Sequence, residues 1–153
     1  MVFMNYLILM KRSAFVLCQL VILLTFSACS RQPSYAPAPQ NGTDIVIELA
    51  GLGQDTPKFY TYRFRGKNIN FFVCKVQDRV QSFLDACASC YTHKRGYSAG
   101  GGQVTCRECG TQFSLNQLEK GLGGCYPIKL EGRVEDGRYR IPIAELEAAA
   151  SKF

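Results

Sequence analysis

The sequence predicts a small, β-dominated α+β domain carrying two CxxC knuckles of zinc-ribbon-like spacing, with short helices near the C-terminus. Three observations predict it. Alternating or aromatic β-rich runs recur between turn-forming residues, cysteines stand at the ends of those runs, and the helix signals come late in the chain. Asp44-Ile45-Val46-Ile47-Glu48-Leu49 alternates and predicts the first strand. Phe59-Tyr60-Thr61-Tyr62-Arg63-Phe64 and Ile69-Asn70-Phe71-Phe72-Val73-Cys74 are two further runs, with Arg65-Gly66-Lys67-Asn68 between them reading as a hairpin turn. Val80-Gln81-Ser82-Phe83-Leu84 is a strand delivering Asp85-Ala86-Cys87, and Gln103-Val104-Thr105 is a short one delivering Cys106. Ser114 and Gln117 have capping-box spacing and predict a helical turn. Tyr126-Pro127-Ile128-Lys129-Leu130 and Arg138-Tyr139-Arg140-Ile141 flank Asp136-Gly137, which suits a tight turn, and Pro142 opens a last short helix.

The cysteines carry the chemistry. Cys87 and Cys90 form one CxxC pair, Cys106 and Cys109 another, and fifteen residues separate them. A CxxC turn aims two sulfurs at one ion, and a second turn supplies the other two at about 2.3 Å each. Cys125 follows a glycine pair, where backbone freedom can bring its sulfur to the knuckles as an additional ligand or redox thiol. His93, the single histidine, is an additional candidate ligand, and Asp85 is expected to orient the first knuckle by accepting backbone N–H bonds. Disulfides are the competing reading. Beyond the leader, six cysteines remain (Cys74, Cys87, Cys90, Cys106, Cys109 and Cys125), an even number that suits three bridges outside the cytoplasm, including one between Cys74 and Cys125. If metal is bound, four thiolates suit zinc and iron–sulfur centres alike.

Lys11-Arg12, an apolar run from Ala14 to Leu24, and Phe26-Ser27-Ala28-Cys29 form a secretory leader ending before a cysteine. Residues 1–28 are therefore expected to be a lipoprotein signal peptide, with Met10 a better start than Met1, and Cys29 the lipidated residue. Ser30 after it suggests the outer membrane. Residues 29–43, rich in proline, alanine and polar residues, read as a linker, leaving 44–153 as the cysteine-rich domain. The expected location is the cell envelope, membrane-anchored and facing the periplasm or exterior.

The formal net charge is +6, or +4 without Lys11 and Arg12, from 16 basic and 12 acidic residues. The basic residues are scattered, which reads as an ordinary solvated surface and excludes nucleic acid as an expected partner. No hydrolytic triad or phosphate loop occurs, so catalytic residues are not expected. Gly100-Gly101-Gly102 reads as a flexible tip, and the absence of CxxCH argues against covalent haem.

Phe83-Leu84-Asp85-Ala86-Cys87 with Cys90, then Lys94-Arg95-Gly96-Tyr97, Val104-Thr105-Cys106 with Cys109-Gly110, and Gly123-Gly124-Cys125-Tyr126-Pro127 together resemble the FtrD-like family across residues 71–149. Tyr126 departs from the asparagine expected there, and a lipid anchor stands where the family has a multi-helix membrane region. The resemblance implies an iron–sulfur or other metal site and a link to iron or metal transport, with an envelope transporter or redox partner. The functional expectation is a metal-binding accessory or electron carrier, with a metal-free thiol–disulfide exchange or disulfide-stabilised lipoprotein as the alternative.

Overall fold

In strand β5 (Lys67–Val76), Phe71, Phe72, Val73 and Cys74 are all buried, so along this stretch neither face of the strand meets water. Successive side chains on a strand point to opposite faces, and a run with no polar alternation therefore needs cover on both. The computed structural model, which describes residues 32–121 and 123–153, supplies that cover. Gln32–Phe153 forms one compact unit, and the expected β-dominated α+β class is what it adopts. The leader, Cys29 and Ser30 lie outside the described residues.

The central sheet has five strands. β5 is flanked by β4 (Lys58–Phe64) and β6 (Arg79–Cys87), both antiparallel to it. β1 (Ala36–Pro37) pairs parallel with β4 at one edge, and β10 (Pro127–Leu130) pairs antiparallel with β6 at the other. Ile69, Phe71, Val73, Leu84 and Ala86 face one core. Across it lies a four-stranded sheet in the order β11 (Arg133–Glu135), β12 (Arg138–Pro142), β3 (Asp44–Glu48) and β2 (Gln40–Asn41), which contributes Ile45, Ile47, Tyr139 and Ile141. Leu146 of helix α1 (Ile143–Ala148) closes this core. Phe72, Cys74, Val76, Phe83 and Cys87 face a second core. It is shared with a three-stranded sheet of β7 (Tyr97–Gly100), β8 (Gln103–Cys106) and β9 (Gln112–Ser114), and with a 3₁₀ segment at Leu115–Lys120. The cysteine region is thus a small third layer laid on the central sheet.

Local chemistry explains the turns. Arg65-Gly66 and Asp136-Gly137 both have positive φ at each position, the backbone of a type I′ hairpin whose twist matches the strands it joins. Gly101-Gly102 does the same between β7 and β8, so the expected flexible tip is a defined two-glycine turn. Two expectations are corrected. Ser114 precedes a helical turn but makes no side-chain cap, because Gln117 departs from helical φ/ψ and the segment is 3₁₀. Part of the stretch read as linker is built into the sheets: Ala36–Pro37 adds an edge strand, the Ala38 N–H donates to the Thr61 carbonyl at 2.9 Å, and Gln40–Asn41 turns back onto β3. Proline is tolerated on an edge, where its missing donor breaks no ladder.

Candidate metal centre

The sulfurs sit at strand ends and in the turns beside them. Cys87 is the last residue of β6, and the Cys90 N–H donates to the Cys87 carbonyl at 3.1 Å, closing a turn over the first pair. Cys106 ends β8. The Gly110 N–H returns to the Cys106 carbonyl at 2.9 Å, and Gly110 takes φ +74°, a conformation that glycine adopts without cost. Cys125 arrives through a third element. β10 pairs with β6 so that Pro127 stands opposite Cys87, and the Ala88 N–H donates to the Tyr126 carbonyl at 3.0 Å, placing Cys125 beside the first pair.

The five sulfurs form one cluster. Cys125 Sγ lies 3.2 Å from Cys87 Sγ, 3.3 Å from Cys109 Sγ and 4.0 Å from Cys90 Sγ. Cys87, Cys90 and Cys125 form one group of mutually close sulfurs, and Cys90, Cys106 and Cys109 another, each within 4.8 Å. Cys90 belongs to both. All six described cysteines have free sulfurs. Cys74 stands apart from both groups, with its sulfur 3.8 Å from the Gln81 carbonyl, and burial pushes its thiol up to about 12. The structure therefore brings Cys125 to the knuckles and not to Cys74.

Charge is uneven across the cluster. Cys109 is the exposed member: the Thr111 hydroxyl, 3.2 Å away, and the Thr111 backbone hold its thiol down at about 6. Burial pushes Cys87 up, but hydrogen bonding from Cys125, the Ser89 backbone and Tyr97 outweighs it and leaves Cys87 at about 7. Burial raises Cys90, Cys106 and Cys125, and neighbouring thiolate charge raises them further. A set of crowded sulfurs, some favouring thiolate and others holding protons, is one in which a soft cation would displace protons.

Asp85 and Tyr97 brace the site. Buried Asp85 accepts the Tyr97 N–H at 2.7 Å and the hydroxyl proton of Tyr35, so it ties β6 to β7 and to the N-terminal segment. The expectation was that Asp85 would accept bonds around the first knuckle. Its backbone donor instead comes from the strand leading toward the second. Burial raises the Asp85 carboxyl, while Tyr35, Tyr97 and Arg107 counter that rise. Gly96 makes the approach feasible, since a Cβ there would sit 2.3 Å from Asp85 Oδ2. His93 is exposed on a 3₁₀ turn with Nδ1 3.6 Å from Glu108 and belongs to neither sulfur group. A cavity of about 40 Å³ borders Asp85, Cys87, Cys90 and Cys106, enough to admit water. Tyr35, Tyr97 and Thr111 were not recognised from sequence as parts of the site. Only the Gly96-Tyr97 pair between the knuckles offered a signal.

The sequence model of the FtrD-like family, described as membrane iron–sulfur containing protein FtrD-like, matches residues 52–153. This chain belongs to the FtrD-like family. The match extends beyond the stretch whose motifs carried the resemblance and takes in every strand of the central sheet except β1. No curated protein matches the chain. The family is described as a membrane one, and among the described residues no helix is long and apolar enough to cross a membrane.

Proposed function

We propose that this FtrD-like chain binds a metal through thiolates, as an iron–sulfur or zinc centre, and serves at the cell envelope as an accessory to iron or metal transport or as an electron carrier. Cys87, Cys90, Cys106 and Cys109 are the proposed ligands, with Cys125 as an additional ligand or redox thiol. The observation that carries the reading is the convergence of five sulfurs from three separate elements, with Cys125 within 4.0 Å of three others. Buried thiols crowded this closely repel one another as they ionise, and a soft cation removes that penalty. The donor set fits either group, since both prefer sulfur ligands. When bound, an iron–sulfur group would supply one-electron chemistry and zinc would supply structural cross-linking. Around it, β6 and β8 position the CxxC sulfurs, Asp85 ties β6 to β7, the strand paired with β8, and exposed Cys109 gives the centre an open edge. Lipid attachment through Cys29, by way of the expected signal sequence, would hold the domain at a membrane surface.

A second reading has its own observation. The 3.2 Å approach of Cys87 and Cys125, one sulfur favouring thiolate beside one holding its proton, also suits thiol–disulfide exchange without metal. Elemental analysis and an absorption spectrum of protein purified anaerobically from its native envelope separate the two. Iron with sulfide and visible charge-transfer bands, or one zinc per chain without colour, supports a metal centre. No metal, together with thiol counts that change reversibly across a redox titration, supports exchange. Under the metal reading, Cys87→Ser and Cys106→Ser each abolish metal content, and metal retained in both variants would overturn it.

A further inference from the structure

Tyr97 is fully buried, yet its hydroxyl has no nitrogen or oxygen partner. Leaving a buried hydroxyl unpaired is unfavourable, and phenylalanine would fill the same space without that cost. The position is held firmly. The Tyr97 ring packs edge-on against Phe72 and Phe113, with centroids 6.0 and 6.2 Å away. Its backbone N–H is fixed by Asp85, and it stands opposite Cys106 in the β7–β8 register. Thus clamped, Tyr97 shares its core with Cys87, Cys106 and Cys125, and its hydroxyl has the Cys87 sulfur as a neighbouring acceptor. A thiol sulfur is a weak acceptor, whereas a thiolate is a stronger one.

Resting on the metal-centre reading above, we propose that the Tyr97 hydroxyl is a positioning residue that donates a hydrogen bond to the Cys87 sulfur when that sulfur is a metal-bound thiolate. The hydroxyl, without a nitrogen or oxygen partner, is then a donor whose weak thiol acceptor becomes a strong one on loading. Hydrogen bonds to ligand sulfurs lower their electron density, and groups that orient metal ligands typically govern affinity by roughly 10- to 100-fold.

The test is Tyr97→Phe in the full chain, loaded separately with Zn²⁺ and Co²⁺. The variant is expected to take up the same number of ions per chain, to bind Zn²⁺ about tenfold more weakly in competition with a chromophoric chelator, and to shift the thiolate-to-cobalt charge-transfer band to lower energy. Metal-free, it should unfold in urea at a midpoint no lower than that of the parent, because a thiol sulfur is only a weak acceptor for the lost hydroxyl. A purely structural tyrosine would leave the cobalt band in place. Unchanged zinc affinity with an unchanged band overturns the proposal, as does a lowered midpoint in the metal-free variant. A parent chain that takes up neither ion overturns the metal-centre reading and this proposal with it. Uptake by both chains with no spectral difference overturns this proposal alone.

Discussion

At the scale of single residues, the six described cysteines divide by environment. Cys109 is exposed and held low by Thr111, Cys74 is sealed in the central sheet and pushed up by burial, and of the others Cys87 is held low while Cys90, Cys106 and Cys125 are raised. Thiolate is the reactive form, so alkylation of each residue rises with pH through its own titration. In metal-free reduced protein, Cys109 should therefore be modified first. Its rate should climb between about pH 5 and 7 and level off above, since its thiol sits at about 6. Cys74, at about 12, should stay unmodified throughout that window while the fold persists. Peptide mapping after brief iodoacetamide pulses checks both, and early labelling of Cys74 would contradict the burial described. The CxxC residues were legible from sequence because their spacing is local. The Thr111 contact was not, because it depends on how the chain leaves the second turn.

At the scale of elements, the bond between Asp85 and the Tyr97 N–H links the end of β6 to the start of β7, and Gly96 is what permits it. Gly96 has φ +64°, and an added methyl would strike the Asp85 carboxylate. Left-handed backbone alone costs a residue with a Cβ roughly 1–2 kcal/mol, and displacing a buried carboxylate from its donor adds to that. Gly96→Ala is accordingly expected to lower stability by at least about 1–2 kcal/mol in urea titration and to reduce metal retention. A variant of wild-type stability would show that the two strands adjust independently. Strands β3 to β6, β8, β10 and β12 were foreseen from alternation and aromatic runs. The two-residue strand β1 was missed because its signal is no longer than its pairing, and proline masked it.

At the scale of the whole molecule, the central sheet carries a core on each face, and only one of those faces touches the cysteines. Phe71 and Phe72 are adjacent, fully buried and opposite in direction: Phe71 stacks on Tyr60 at 5.5 Å, and Phe72 on Phe83 at 5.5 Å beneath Tyr97. Replacing either by alanine should cost about 3–5 kcal/mol. Phe71→Ala should leave metal content per folded chain unchanged, whereas Phe72→Ala should lower it, since Phe72 supports the ring of Tyr97. Urea midpoints with metal analysis of the folded fraction distinguish them, and equal metal loss in both would mean that the two cores act as one.

By itself, the sequence determined the β-rich class, the two-residue turns, the late helix and the two CxxC pairs. All of these rest on periodicity, φ preferences or spacing within about a dozen neighbouring residues. Tertiary structure alone decided that Cys125 joins the knuckles and Cys74 does not, that Asp85 braces β7, and that Tyr97 is buried in one core with Cys87, Cys106 and Cys125. The cause is strand pairing over distance. The β6–β10 register brings together Cys87 and Cys125, 38 residues apart, and no local pattern encodes which strands will meet.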